Sequence, residues 1–147
     1  MNTQQKRALL LIKLAKRKED QAAEVLGHWR QRMAAQTEQL AELGRYQSAY
    51  LDAARKPSQS VYQLQSYRQF LTQLDHVIAE QQARMLQIEQ QFEHYCQQWR
   101  LLHQRRKMLE DYQSRIDQEA QKAINKLWDK MCDELSARPS GEDSALL

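Results

Sequence analysis

The sequence predicts an all-α fold: an antiparallel two-helix coiled-coil hairpin drawn out into an extended rod. Three observations predict it. Apolar residues recur at alternating steps of four and three through two long blocks, one on each side of Pro57. Turn material is scarce, with three Gly and two Pro in 147 residues, whereas an ordinary domain turns every dozen residues or so, roughly. The remainder is rich in Gln, Ala, Leu, Lys, Arg and Glu, which are good helix formers. Two helices share a seam and lack a deep core, so burial per residue is modest and part of the order is expected to depend on partners.

The first helix is expected over about residues 4 to 54, after a polar lead-in from Met1 to Gln5. Its seam runs Ala8, Ile12, Ala15, Glu19, Ala22, Leu26, Trp29, Met33, Gln36, Leu40, Leu43, Gln47, Tyr50 and Ala54. Gly27 and Gly44 lie outside it, and each weakens the helix by roughly 1 kcal/mol relative to Ala. The break is Arg55-Lys56-Pro57-Ser58-Gln59-Ser60. Pro57 cannot continue a helix and drives Lys56 toward an extended conformation. Ser60 followed by Gln63 fits a capping box, which restarts the helix there.

The second helix is expected from residue 61 to about 137. Its seam is the stronger: Tyr67, Leu71, Leu74, Ile78, Gln81, Met85, Ile88, Phe92, Tyr95, Trp99, Leu102, Arg106, Leu109, Gln113, Ile116, Ala120, Ala123 and Leu127. A connection this short favours an antiparallel hairpin, because one bent helix would leave both seams wet. Residues 1–137 therefore form a single hairpin domain. Folding about residue 57 sets Leu43 against Leu71, Trp29 against Met85 and Ile12 against Leu102. The first helix then runs out near residue 110, leaving Ile116, Ala123, Leu127, Trp128 and Met131 uncovered. Residues 138–147, polar and containing Pro139 and Gly141, read as a disordered tail.

The net charge is +3, from 22 basic and 19 acidic residues. That is too mild to imply nucleic acid. Cys96 and Cys132 lie on one helix at a separation of about 50 Å, so they cannot pair within the chain. They read as reduced thiols of a cytosolic protein. The apolar run Leu9–Ile12 is too short for a signal peptide or a membrane span. A soluble, cytoplasmic protein is expected.

No enzyme signature is present, so no catalytic residue, metal ligand or cofactor is expected. There is no Gly-rich phosphate loop, and Ser and Thr are scarce. His94 and Cys96 fall on different helix faces, and His103 lacks a potential ligand three or four residues away.

Two features exceed what a seam requires. Lys6, Arg7, Lys13, Lys16, Arg17 and Lys18 meet Arg100, Arg105, Arg106 and Lys107 when the hairpin closes. The plain reading is a solvated face. The sharper one is contact with an acidic partner, for which Lys13, Lys16, Arg17, Arg105, Arg106 and Lys107 are the candidates. Nucleic acid is disfavoured by the interrupting Glu19, Asp20, Glu24, Glu110 and Asp111. At the loop end, Gln39, Leu43, Tyr46 and Tyr50 form one stripe, and Phe70, Leu74, Val77 and Gln81 form another. They are either a thick local core or a partner-binding patch.

Gly44-Arg-Tyr-Gln-Ser-Ala-Tyr50, the short break, Tyr67-Arg-Gln-Phe-Leu-Thr-Gln-Leu74 and Trp99-Arg100, preceded by Val25-Leu26-Gly27, resemble the FliJ family of flagellar protein-export components. The resemblance covers roughly residues 8 to 130. It implies a coiled coil similar to the γ-subunit stalk of ATP synthase. It also implies a central stalk that binds the hexameric, FliI-like export ATPase, promotes its ring assembly and connects it to the export gate protein FlhA, with a role in recycling export chaperones. The family's gate-contacting stripe falls on Gln39, Leu43, Tyr46, Tyr50, Phe70, Leu74, Val77 and Gln81. Val77 and Gln81 depart from the smaller and imidazole side chains that can stand there. The resemblance places the protein at the inner-membrane export apparatus, peripherally and through its partners. The alternatives are the stalk of a virulence type III secretion system, a nucleic-acid-associated coiled coil, and a self-associating structural rod.

Overall fold

The computed structural model describes Met1 to Arg138. Two helices account for nearly all of it: α1, Thr3–Ala54, and α2, Val61–Ala137. They pack as an all-α helical hairpin. The disordered tail expected at the C-terminus falls almost wholly on residues outside the described ones.

Both helices begin with a reciprocal cap. The Gln5 N–H donates to Asn2 Oδ1 at 2.8 Å, and the Asn2 N–H donates to Gln5 Oε1 at 3.0 Å. At α2 the Gln63 N–H donates to Ser60 Oγ at 3.2 Å, and the Ser60 N–H donates to Gln63 Oε1 at 3.1 Å. The second is the capping box expected from sequence. The first makes Asn2 a cap, where the sequence reading has only a polar lead-in. Each pair satisfies backbone donors that the first turn leaves without a partner. The end of α1 closes differently. Its last carbonyls accept tight i→i+3 bonds from Arg55 and Lys56, and Gln59 Nε2 donates to the Ala53 carbonyl at 3.0 Å.

The chain divides into two compact units. The turn-containing unit is Lys18–Leu102. In it the expected seam positions of α1, Glu19 to Ala54, and of α2, Tyr67 to Leu102, are all buried or half-buried. Leu26, Leu74 and Ile88 are its most buried apolar side chains. Trp29 stacks on Tyr95, with centroids 5.8 Å apart. Tyr50 packs on Phe70, with centroids 4.2 Å apart. Gln36, 5% exposed, forms a polar layer in this seam. Its Nε2 donates to Gln81 Oε1 at 2.8 Å and to the Gln81 carbonyl at 3.0 Å.

The terminal unit joins Met1–Arg17 to α2 from His103 on. Ala8, Ala15 and Ile116 are its buried apolar residues. Gln5 Nε2 donates to Asp117 Oδ1 at 2.9 Å, and Gln4 Nε2 reaches the Tyr112 hydroxyl at 3.4 Å.

These contacts correct the register expected from sequence. A fold about residue 57 sets Gln5 opposite Leu109, Gln36 opposite Ile78 and Trp29 opposite Met85. The observed partners lie several residues farther along α2: Asp117, Gln81 and Tyr95. The cause is the tilt of helical side chains toward their own N-terminus. In an antiparallel pair, α1 side chains lean away from the turn and α2 side chains lean toward it. The tilt offsets contacts by up to about one turn of helix; the larger offsets, eight residues at Asp117 and ten at Tyr95, show that the fold is also centred beyond residue 57. The same offset overturns one expectation directly: Ile116 is not uncovered but only 4% exposed. The uncovered part of α2 begins after Ala120, and Ile124, Leu127, Trp128, Met131 and Leu135 all stand exposed there.

Candidate functional site

The helix geometry defines two sides of each packed pair. In antiparallel helices, residues that immediately precede a seam position on either strand project to one side, and residues that follow project to the other. Observed contacts agree. Tyr50 meets Phe70, which precedes Leu71, on the first side. Gln47 Nε2 donates at 2.6 Å to Asp75, which follows Leu74, on the second.

In the turn-containing unit, Gln39, Tyr46, Phe70 and Val77 all precede seam residues and share the first side. All four are exposed, with Tyr46 at 52%, Val77 at 41% and Phe70 at 38%. The other four candidates belong to the seam. Leu43 and Tyr50 are half-buried, Leu74 is only 7% exposed, and Gln81 is tied to Gln36. The eight candidate residues thus form one neighbourhood with two jobs. A surface row of aromatic and aliphatic side chains stands on a seam row that supports it. The Tyr50 ring joins the two by packing against both Phe70 and Tyr67. Val61 and Tyr62, more than 70% exposed in the first turn of α2, add apolar surface near the turn. They stand outside both stripes because they lie before the first seam residue, Tyr67.

The basic candidates Lys13, Lys16, Arg17, Arg105, Arg106 and Lys107 all fall in the terminal unit. They do not make a single patch. Lys13, Lys16 and Lys107 follow the seam residues Ile12, Ala15 and Arg106, so they share the second side. Arg105 precedes Arg106 and lies on the first, while Arg17 points away from the seam. Arg106 is itself a seam residue. Its guanidinium sits 2.7 Å from Glu110 Oε1, so its charge is already engaged.

Among the described residues no cluster of His, Cys, Asp and Glu could hold a metal ion. Both cysteines are free thiols. No helix of the described residues is long and apolar enough to cross a membrane.

Long amphipathic helices paired along a heptad seam, with an aromatic surface row on one unit and uncovered cations on the other, define a coiled-coil hairpin. The model of one family, the flagellar FliJ proteins, matches residues 5–142. The chain belongs to the FliJ family. No curated protein and no solved structure matches it. Membership ties the chain to the flagellar export apparatus, in which the family is a structural, chaperone-like component.

Proposed function

We propose that this chain is a non-enzymatic central stalk of flagellar protein export. It binds the hexameric, FliI-like export ATPase, promotes assembly of its ring, links the ring to the export gate protein FlhA, and takes part in recycling export chaperones. The family match over residues 5–142 carries the reading. The spread of candidate surfaces supports it. The exposed row Gln39, Tyr46, Phe70 and Val77, bordered by Leu43 and Tyr50, suits an apolar partner such as the gate. Leu74 and Gln81 support that row from the seam. The cations Lys13, Lys16, Arg17, Arg105 and Lys107 of the terminal unit suit the acidic surface of a ring. Arg106 is engaged by Glu110 on its own helix in this scheme. The chain sits at the inner membrane peripherally, through these partners.

The test is the hydrolysis rate and oligomeric state of the purified export ATPase with and without this chain. Stimulated hydrolysis together with ring formation is the expected result. Unchanged hydrolysis and an unchanged oligomeric state at micromolar protein would remove the ring-binding role.

A further inference from the structure

A seam of repeating apolar positions does not by itself choose an alignment. Sliding one helix along the other sets apolar side chains on apolar side chains again as the pattern repeats. Nor does cover decide it. The second helix has 77 residues and the first 52, so every alignment leaves part of α2 bare, and a slide exchanges one bare stretch for another. In the structure Tyr50, one turn from the end of α1, meets Tyr67 and Phe70. Val61, Tyr62 and Leu64 therefore lie beyond the reach of α1 and are 75%, 78% and 43% exposed. A fold about residue 57 would cover them and set Leu64 against Tyr50. Something in the turn-containing unit holds the observed alignment against that alternative.

The amides differ between the two. Gln36 is 5% exposed and donates to both the Gln81 side chain and the Gln81 carbonyl. In a fold about residue 57 it would face Leu74 and Ile78, without the side chain that now accepts from it. A buried amide deprived of its partner is costly. The Gln47–Asp75 bond carries no such cost, because it is exposed and its groups return to water. We propose that Gln36 and Gln81 are the register key of the hairpin, selecting one alignment from those the seam allows. Gln81 is then a positioning residue for the surface row. That row takes Gln39 and Tyr46 from α1 and Phe70 and Val77 from α2, and a slide would part the two pairs by on the order of 10 Å. The key goes beyond the stalk reading and does not rest on it, since alignment is a property of the free chain.

The test is cross-linking of the dilute full chain with a short bismaleimide, with Cys96→Ser and Cys132→Ser in every variant. Thr37→Cys with Gln82→Cys reports the observed alignment. Arg30→Cys with Gln82→Cys reports a fold about residue 57. Both of these positions follow seam residues and would face each other there, whereas in the structure they lie roughly two turns apart or more along the axis. Expected in the parent is fast linkage of the first pair and slow linkage of the second. Gln36→Leu with Gln81→Leu raises the second rate about tenfold or more. Leu40→Ala weakens the seam without touching an amide, and Glu19→Gln alters the unit's other buried polar position. Each leaves the second rate within about twofold of the parent. Circular dichroism monitors helicity, and if the paired leucine variant loses it, Gln36→Leu alone decides, with the same expectation. An unchanged second rate in a helical variant overturns the proposal. So does an equal rise from Leu40→Ala or Glu19→Gln, which would make that rate a measure of general loosening.

Discussion

The polar layer Gln36–Gln81 allows the packing account to be tested quantitatively. Gln36 is 5% exposed and gives both of its observed hydrogen bonds to Gln81. Gln36→Ala removes two bonds, each worth about 1 kcal/mol net. It also removes one buried methylene, worth about 0.8 kcal/mol. The expected cost is about 3 kcal/mol. Gln36→Leu has a different outcome, since the new side chain fills the layer and the half-buried Gln81 amide can turn to water. It is expected to cost less than about 1 kcal/mol. Gln36→Leu with Gln81→Leu is expected to match or exceed the parent, because paired apolar replacement of a buried polar contact is near neutral or stabilising. The double-mutant cycle should therefore return a coupling of about 1–2 kcal/mol. Urea unfolding measures each variant, with tryptophan fluorescence reporting on Trp29 and Trp99 in the same unit and circular dichroism on both helices. Additivity within about 0.5 kcal/mol would refute the claim that the two amides act as one layer. So would a cost below about 1 kcal/mol for Gln36→Ala.

Two further predictions separate surface from seam. Tyr46→Ala with Phe70→Ala and Val77→Ala should lower affinity for the gate protein by at least about tenfold, with helicity retained. Leu74→Ala, by contrast, should destabilise the chain by about 2–4 kcal/mol. Titration calorimetry and thermal melts check the pair, and a Leu74→Ala chain of unchanged stability would place Leu74 outside the core. Limited proteolysis should cut α2 beyond Ala120 before any site between Lys18 and Leu102. An isolated helix of this length is marginal in water, whereas the seam-packed turns are held by burial. First cleavage within the paired segment would contradict that ordering.

The seam was legible residue by residue, because heptad spacing is a local property of the chain. Every expected α1 position is buried or half-buried, and α2 follows the pattern as far as Ala120. Register was less legible. It depends on side-chain tilt and on how the turn closes, where Gln59 caps the Ala53 carbonyl without any preceding motif. That is why Ile116 was expected in water. The candidate patch was legible as a stripe, but its division was not. Phe70 and Leu74 look alike as letters, and only packing separates an exposed ring from a buried leucine.

The hairpin has a consequence for the chain while it is being made. Gln5 bonds to Asp117, 112 residues later. At about 5–20 residues per second, a ribosome adds that interval in on the order of ten seconds. Tyr50 meets Phe70 within about a fifth of that time. The parts of α1 made first are therefore the last to be covered, and pairing spreads backward from the turn. Until then Ile12, Leu26 and Met33 present a continuous apolar stripe to the cytosol. The nascent chain is most exposed to aggregation, and most accessible to folding helpers, when α1 is complete and α2 has not yet emerged to cover it.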